Sequence, residues 1–246
     1  MKLTFLGAGQ GGFPTSDGHS CAAMLECGNG VYLVDAGAPV LELMTRAGVP
    51  FEKLKGVFTT HMHGDHTFGL LSLCSVCSWH YTDAAFDVFM AEERGIAALK
   101  ELILSMDKIF CEERIRLKKA EPGVIFSDGN ITVTAIPTTH CHPYPSYAYM
   151  IEGEGKRIFF SGDLHHEDAS DFPRIAREES SDLIVCEMAH ADHDVMLPML
   201  GGCPAKMVLF NHVSWDRDEK LAAIKAAEGK YPMPILAVGD GETYLI

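Results

Sequence analysis

Basic residues and long apolar runs are both scarce in this chain of 246 residues. Its 20 lysines and arginines face 34 aspartates and glutamates, which gives a formal net charge of −14. A protein that coats long nucleic acid or an anionic membrane surface needs basic side chains to displace counterions. The charge balance therefore argues against both partners, although it leaves room for a local cationic site.

Cysteine is also sparse, and no segment has the character of a membrane span. Eight cysteines are too few for a disulfide scaffold in a chain of this length. No apolar run reaches the roughly 18 residues typical of a membrane-spanning helix, and glycine interrupts the N-terminal apolar stretch before it could form a signal-peptide core. We therefore expect a cytoplasmic protein with no membrane association and eight free thiols.

The overall composition is that of a globular protein, with 47% hydrophobic and 22% charged residues. The sequence contains no linker rich in proline and serine, no block of like charges and no short repeat. We therefore predict a single domain over residues 1–246.

Short apolar strands and amphipathic helices alternate along the chain. The pattern predicts a strand at 2–6, a glycine-rich loop at 7–12, and helices at 67–79, 92–106 and 216–228. Further strands fill the middle and the second half of the chain. Two sheets packed face to face with helices outside would bury all of these segments.

The strongest chemical signal is the segment THMHGDH, residues 60–66, which follows a short apolar strand. His61 and His63 are two residues apart, so their side chains point the same way in an extended segment. Asp65 and His66 follow after a glycine turn. Imidazole and carboxylate are ligands that Zn²⁺ and similar ions accept. Three imidazoles and one carboxylate exceed what one ion uses at a catalytic site, which indicates two ions.

The order His-x-His-x-Asp-His after a strand resembles the metal-binding loop of the metallo-β-lactamase superfamily. The resemblance implies a four-layer αββα sandwich, in which two mixed sheets pack face to face with helices outside. It also implies ligands at later strand ends, and the chain offers His140, Asp163 and His212 in the expected order. By this resemblance, one ion binds His61, His63 and His140, a second binds Asp65, His66 and His212, and Asp163 bridges both.

Within the superfamily, the chain most resembles the ribonuclease Z-like and phosphodiesterase branch. The resemblance is carried by Gly64–Leu70, Pro145–Tyr149, Ser161–Asp163 and His212–Ser214. The His-Glu-Ala-Thr element of that branch is matched only at Glu187, because Cys186 stands where the branch has histidine. Transfer-RNA processing members carry a long arm between the third histidine and the bridging aspartate, whereas residues 141–162 predict one hairpin. This departure favours a small phosphodiester over long RNA.

The implied chemistry is that of a metal-dependent hydrolase using a hydroxide bridged by two divalent ions, Zn²⁺ or Mn²⁺. Two divalent ions, two aspartates and one hydroxide leave a single positive charge, which suits a small anionic substrate. Metal-bound water has a pKa of about 7, so hydroxide is available at neutral pH. Two alternatives stay open: hydrolysis of a carboxylic ester, lactone or thioester on the same fold, and metal binding without catalysis.

Cleavage of a phosphodiester also needs a proton for the leaving oxygen. The catalytic candidates are Asp65, which is also a ligand, His190 and Glu187, with His142 and His193 as further candidates for the general acid.

Three further features leave their roles open at this point. Asp35, at the end of a strand, either orients a metal-bound histidine or caps the following helix. Cys74 and Cys77 form a CxxC pair on a predicted helix, for which a packing role is favoured over redox or zinc chemistry. A homodimer is compatible with the sequence.

Overall fold

Two seven-stranded sheets form the frame of the protein in the computed structural model, which describes residues 1–10, 18–165, 170–213 and 217–246. The first sheet contains β1 (Lys2–Gly7), β2 (Ala22–Cys27), β3 (Gly30–Val34), β4 (Leu54–Phe58), β5 (Phe86–Met90), β6 (Ile115–Lys119) and β14 (Thr243–Leu245). The second contains β7 (Gly123–Ser127), β8 (Ile131–Thr138), β9 (Ser146–Gly153), β10 (Lys156–Phe160), β11 (Leu183–Met188), β12 (Val208–Val213) and β13 (Ile235–Ala237). Their spatial orders are β14-β1-β2-β3-β4-β5-β6 and β13-β12-β11-β10-β9-β8-β7.

The helices lie on the outer faces of the two sheets, except for the short α2, which follows the end of β4. They are α1 (Val40–Arg46), α2 (Gly64–Thr67), α3 (Gly69–Trp79), α4 (Glu93–Asp107), α5 (Arg174–Glu178), α6 (His193–Gly201) and α7 (Arg217–Ala227). The first sheet shares an apolar core with α1, α3 and α4, and the second shares one with α5, α6 and α7. None of the described helices combines the length and the apolar character that crossing a membrane requires.

Alternation along the strands places side chains in different cores. In β1, Leu3 and Phe5 enter the core between the two sheets, whereas Leu6 faces the helices of the first sheet. In β12, Leu209 enters the central core and Phe210 faces the helices of the second sheet. This period of two lets each sheet bury both faces. The layers are therefore helix, sheet, sheet and helix, which confirms the predicted αββα sandwich.

Strand direction brings the functional loops to one edge of the molecule. Strands β3 to β6 are parallel to one another, and so are β10 to β13. Strand β8 runs in the direction of β10, because both are antiparallel to β9. The carboxyl ends of β4, β8, β10 and β12 are where the sequence places its predicted ligands.

The helix predicted at 67–79 differs from the observed one. The structure has a short helix, α2, that carries Asp65 and His66, and then a second helix that begins at Gly69. The carbonyl of Ala36 accepts a hydrogen bond from the Gly69 amide, and a Cβ on Gly69 would lie 2.6 Å from that oxygen. The close approach of the two backbones explains why glycine stands here and why α3 begins at this residue.

The remaining local predictions fall close to the observed elements. The helix predicted at 92–106 is α4, and the one predicted at 216–228 is α7. Asp216, Ser214 of the last motif, and Gly11 and Gly12 of the predicted loop lie outside the described residues. All eight cysteines are described and none forms a disulfide; Cys74 and Cys77 are buried in the core beneath α3.

Candidate metal centre

Three histidines and an aspartate converge beyond the ends of β4, β8 and β10. Nε2 of His61 lies 2.9 Å from Nδ1 of His63, and Nε2 of His140 lies 3.4 Å from the same Nδ1. An oxygen of Asp163, Oδ2, is 3.7 Å from Nε2 of His61 and 3.8 Å from Nε2 of His140. Nε2 of His61 and Nε2 of His140 thus each lie close to both His63 and Asp163, as donors that share one ion would.

A second group of donors lies on the other side of Asp163. Nε2 of His212 is 3.1 Å from Oδ2 of Asp65, and Nε2 of His66 is 3.6 Å from the same oxygen. The Asp163 carboxylate reaches both histidines, with Oδ2 at 3.4 Å from His66 and Oδ1 at 3.6 Å from His212. Asp163 therefore lies between the two groups, and the structure brings together all seven ligands that the sequence predicts.

The donor set fits divalent cations. Nε2 of His66 and Nδ1 of His212 are buried, and neither makes a hydrogen bond within the described part of the chain. A buried polar atom without a hydrogen bond destabilises the fold, so we expect each of these two nitrogens to bind a partner such as a cation. Both face the Asp163 carboxylate, and nitrogen and carboxylate oxygen together are the donors that zinc and related ions accept.

Hydrogen bonds on the far side of three rings decide which nitrogen faces the cluster. Nδ1 of His66 donates to Oδ2 of Asp35 at 2.8 Å, and Nδ1 of His140 donates to the carbonyl of Leu164 at 2.9 Å. The Thr60 hydroxyl donates to Asp35, so its oxygen accepts from Nδ1 of His61 at 3.0 Å. In all three rings, Nε2 is therefore the nitrogen left to bind an ion.

The orienting role of Asp35 is one of the two readings that the sequence left open. The Asp35 carboxylate also accepts a hydrogen bond from the Thr60 amide at 2.7 Å. Helix α1 begins only at Val40, after Pro39, and no side chain caps it. The helix-cap reading is therefore wrong, because Asp35 lies four residues too early and its oxygens are engaged elsewhere.

Two residues of this region, the orienting Asp35 and the predicted ligand His212, have backbones in the left-handed region. Asp35 has φ 60° and His212 has φ 51°. Residues other than glycine rarely adopt this conformation, and aspartate does so more readily than most. The surrounding sheets hold both residues there, which aims their side chains into the cluster.

Burial and the charges of neighbouring side chains shift the pKa values of residues in the cluster. The pKa of Asp163 lies well below its ordinary value, because His212 and His66 outweigh the effect of burial, which alone would raise it. The pKa of Asp65 is lowered in the same sense, with burial again opposed by the hydrogen bond from His212 and the charge of His66. Burial and the charge of His66 hold the pKa of His61 well below its ordinary value. Ionised carboxylates and the neutral imidazole of His61 are forms that bind cations, whereas the charged His66 must lose a proton when a cation binds.

The predicted general acid, His190, lies beside this cluster. Its ring centroid is 4.7 Å from that of His140, and its Nδ1 is 3.7 Å from Oδ2 of Asp163. Nδ1 is also 3.3 Å from Oε1 of Glu187. His190 thus borders the ligands of both groups and is partly exposed to solvent.

The carboxylate of Glu187, another catalytic candidate, is occupied by backbone amides. Oε1 accepts from the Leu164 amide at 3.1 Å, and Oε2 accepts from the amides of His190, at 2.9 Å, and Ala189. The side chain is almost fully buried. Its contacts connect the loop after β10 with the loop after β11.

The other acid candidates are His193 and His142. His193 begins α6 and is near the carboxylates of Asp192 and Asp194. His142 is exposed in the turn after β8.

Sequence reasoning missed three contacts of the cluster. The Thr60 hydroxyl could have been inferred, because it directly precedes His61. The Leu164 carbonyl carries no sequence signal, since every residue has one. Cys141 brings its Sγ to 4.0 Å from Nε2 of His63. Burial raises the pKa of the Cys141 thiol to about 11.

The amino-acid sequence of the chain is similar to those of several known proteins. The family model described as anti-Pycsar protein Apyc1 matches residues 1–198. A ribonuclease BN of Cronobacter sakazakii is 33% identical over 159 residues, covering 63% of this chain and 51% of its own length. A ribonuclease Z of Listeria innocua is 34% identical over 161 residues, covering 64% and 51%. The chain thus spans about half the length of these curated relatives.

Solved structures share the whole fold at low sequence identity. The metallo-β-lactamase fold protein YhfI of Bacillus subtilis superposes with a TM-score of 0.76 at 19% identity, covering 99% of this chain and 98% of its own. The short form of human tRNase Z superposes with a TM-score of 0.73 at 19% identity, covering 100% and 99%. These similarities establish the metallo-β-lactamase fold.

Proposed function

The chain belongs to the anti-Pycsar protein Apyc1 family and has the metallo-β-lactamase fold, and from this premise we propose that it is a phosphodiesterase acting on small phosphodiesters. The observation that carries the proposal is the convergence of seven donor side chains, three on each side of Asp163 and Asp163 itself. The relatedness to ribonucleases Z and BN supports phosphodiester chemistry.

Two divalent ions are proposed, with Zn²⁺ as the metal and Mn²⁺ as the second choice. One ion would be held by His61, His63 and His140, the other by Asp65, His66 and His212, with Asp163 shared. When bound, such ions lower the pKa of water towards neutrality and polarise a phosphate oxygen. Four of the seven donors lie within residues 61–66, so the two proposed ion positions are close together.

The chain's own groups supply the remaining requirements. His190 is proposed to give a proton to the leaving oxygen, since its ring borders the cluster and Glu187 lies against its Nδ1. Asp65 accepts a hydrogen bond from His212 and presents a carboxylate at the same edge, where it can hold a proton of the attacking water. Burial of His61, His66 and Asp163 keeps bulk water away from the base of the site.

Several observations favour a small substrate over long RNA. Residues 141–162 contain only a short turn and the β9–β10 hairpin, so no arm extends from this part of the chain. The formal net charge of −14 opposes a long polyanion at low salt. At physiological salt the Debye length is about 8 Å, so most of the discrimination would come from missing contacts rather than from repulsion. The preference should therefore shrink only modestly as salt rises.

The test is a substrate panel with purified protein loaded with Zn²⁺ or Mn²⁺. It contains bis(4-nitrophenyl) phosphate, dithymidine monophosphate, a long single-stranded RNA, a lactone and a thioester. We expect turnover of the small phosphodiesters and little of the RNA. Much faster cleavage of the lactone or thioester would overturn the phosphodiesterase assignment, and preferred cleavage of the RNA would overturn the small-substrate assignment.

One variant pair separates the proposed site from the rest of the protein. His63→Ala should abolish turnover, because it removes a ligand. His80→Ala is the matched control, since His80 is exposed after α3 and stacks on Trp79 at 3.8 Å. Its turnover should equal that of the wild type.

A further inference from the structure

A buried lysine lies beneath the loop that carries His190. Lys220 belongs to α7, and only 7% of its surface is exposed. Its Nζ donates to the carbonyl of Met188 at 2.8 Å and to the carbonyl of Ala189 at 3.2 Å. These are the two residues that directly precede His190. The charged end of Lys220 thus reaches the turn at the end of β11.

The same turn is held from its other side by Glu187. The carboxylate of Glu187 accepts the amides of Ala189 and His190, whereas Lys220 binds the carbonyls of Met188 and Ala189. The peptide groups between β11 and His190 are therefore fixed through both their N–H and their C=O groups. A turn held in this way has little freedom to rotate, which fixes the direction in which the Cα–Cβ bond of His190 leaves the backbone.

Packing of α7 alone does not require a lysine at this position. Ile224 and Ala227 of the same helix already enter the apolar core beneath the second sheet. Burying an ammonium group is unfavourable unless hydrogen bonds replace its hydration, and an apolar residue would anchor the helix without that penalty. The hydrogen bonds of Lys220 to two consecutive carbonyls explain why a charged residue is buried at this position.

We propose that Lys220 is a positioning residue for His190, which it holds against the Asp163 side of the cluster by fixing the preceding turn. The inference rests on the proposed role of His190 as proton donor. It differs from a role in metal binding, because these hydrogen bonds of Lys220 reach backbone carbonyls of the turn before His190. Glu187, in contrast, also supports the Leu164 loop that orients His140.

The experiment compares two substrates that differ only in the leaving group. Thymidine 5′-(4-nitrophenyl phosphate) releases nitrophenolate, which needs no proton, and dithymidine monophosphate releases an alkoxide, which does. Lys220→Met should lower kcat for the alkoxide substrate about tenfold and leave kcat for the nitrophenyl substrate within about twofold, a fraction of what a full general acid contributes. Metal content should stay at the wild-type level, and Lys220→Arg, which keeps donors in place, should restore part of the loss.

Lys225→Met is the matched control, because Lys225 lies on the same helix and is exposed. It should leave both substrates unaffected. Equal losses on both substrates, or loss of metal from Lys220→Met, would overturn the inference.

A crystal structure of the Lys220→Met protein gives a readout that does not depend on activity. We expect the His190 imidazole to move away from its present distances of 3.3 Å to Glu187 and 3.7 Å to Asp163. An unmoved ring would overturn the positioning role. If the wild type cleaves neither substrate, the proposed function fails, whereas the position of the ring still decides this inference.

Discussion

Asp35 accepts a hydrogen bond from Nδ1 of His66 at 2.8 Å, although the two residues are 31 positions apart in the chain. Its carboxylate also holds the amide and the hydroxyl of Thr60, the residue before His61. One buried carboxylate therefore orients the rings of His66 directly and of His61 through Thr60. This links a ligand from each of the two proposed metal positions.

Replacing Asp35 by asparagine should weaken metal binding about 10- to 100-fold, the range found when the orienting partner of a metal-bound histidine is lost. Asparagine tolerates the φ of 60° at this position, so the backbone should be preserved. Competition with a chromophoric chelator measures the affinity. Asp87→Asn is the control, because Asp87 is also buried but binds Arg116 and Lys118. Equal affinities in Asp35→Asn and the wild type would contradict the orienting role.

The fully loaded wild type should contain two metal ions per chain. Asp163→Ala should lower the occupancy of both, because the carboxylate reaches His66 and His212 on one side and His61 and His140 on the other. Elemental analysis after dialysis gives the ratio of metal to protein. Tight occupancy by one ion in the wild type would refute the two-ion proposal.

His190→Ala should slow substrates with poor leaving groups far more than those that release nitrophenolate. Loss of a general acid typically lowers the rate about 100-fold or more when the leaving oxygen needs a proton. The measurement is kcat for dithymidine monophosphate and for thymidine 5′-(4-nitrophenyl phosphate). His80→Ala, at an exposed histidine after α3, provides the control and should leave both rates unchanged. An equal loss on both substrates would assign His190 a role other than proton donation.

Gly162→Ala should destabilise the protein and disturb the metal centre. Gly162 has φ 59°, and a Cβ there would lie 2.7 Å from the carbonyl oxygen of Tyr147 and 2.9 Å from Cβ of Thr60. Left-handed backbone costs alanine about 1–2 kcal/mol, and overpacking adds about 1–3 kcal/mol.

Gly155→Ala separates these two effects, since Gly155 has φ 69° but no atom of the described residues lies within 4 Å of the Cβ position. Denaturant unfolding should show the smaller loss of free energy for Gly155→Ala. Metal content should fall only in Gly162→Ala, because Asp163 is the next residue. A loss no larger than that of Gly155→Ala would mean that the loop adjusts freely.

Thiol titration of the unfolded protein without reductant should count eight free cysteines per chain. Two thiols lie beside the cluster: Cys141 is 4.0 Å from His63, and Cys21 lies within 4.8 Å of His66 and Asp35. Protein purified under anaerobic conditions avoids oxidation during handling. A lower count would contradict the prediction of a cytoplasmic protein with eight free thiols.

The sequence predicts the ligand types and the layered fold because both are encoded locally. The HxHxDH spacing determines which donors follow β4, and apolar strands with a period of two require two buried sheet faces. His140, Asp163 and His212 are predicted as ligands only because their order matches that of the superfamily's ligands. Their convergence depends on strand directions, and the strand pairing shows that β8, β10 and β12 end at one edge.

Tertiary structure alone decided the partners that orient these ligands. The Leu164 carbonyl beneath His140 has no signature in the sequence, because every residue carries a carbonyl and only loop geometry selects one. The same holds for Lys220, which in the sequence of α7 looks like any charged residue of an amphipathic helix, yet reaches the turn before His190. Ligand identity follows from side-chain chemistry, which the sequence states directly. Ligand orientation follows from contacts between distant segments, which form only when the two sheets pack together.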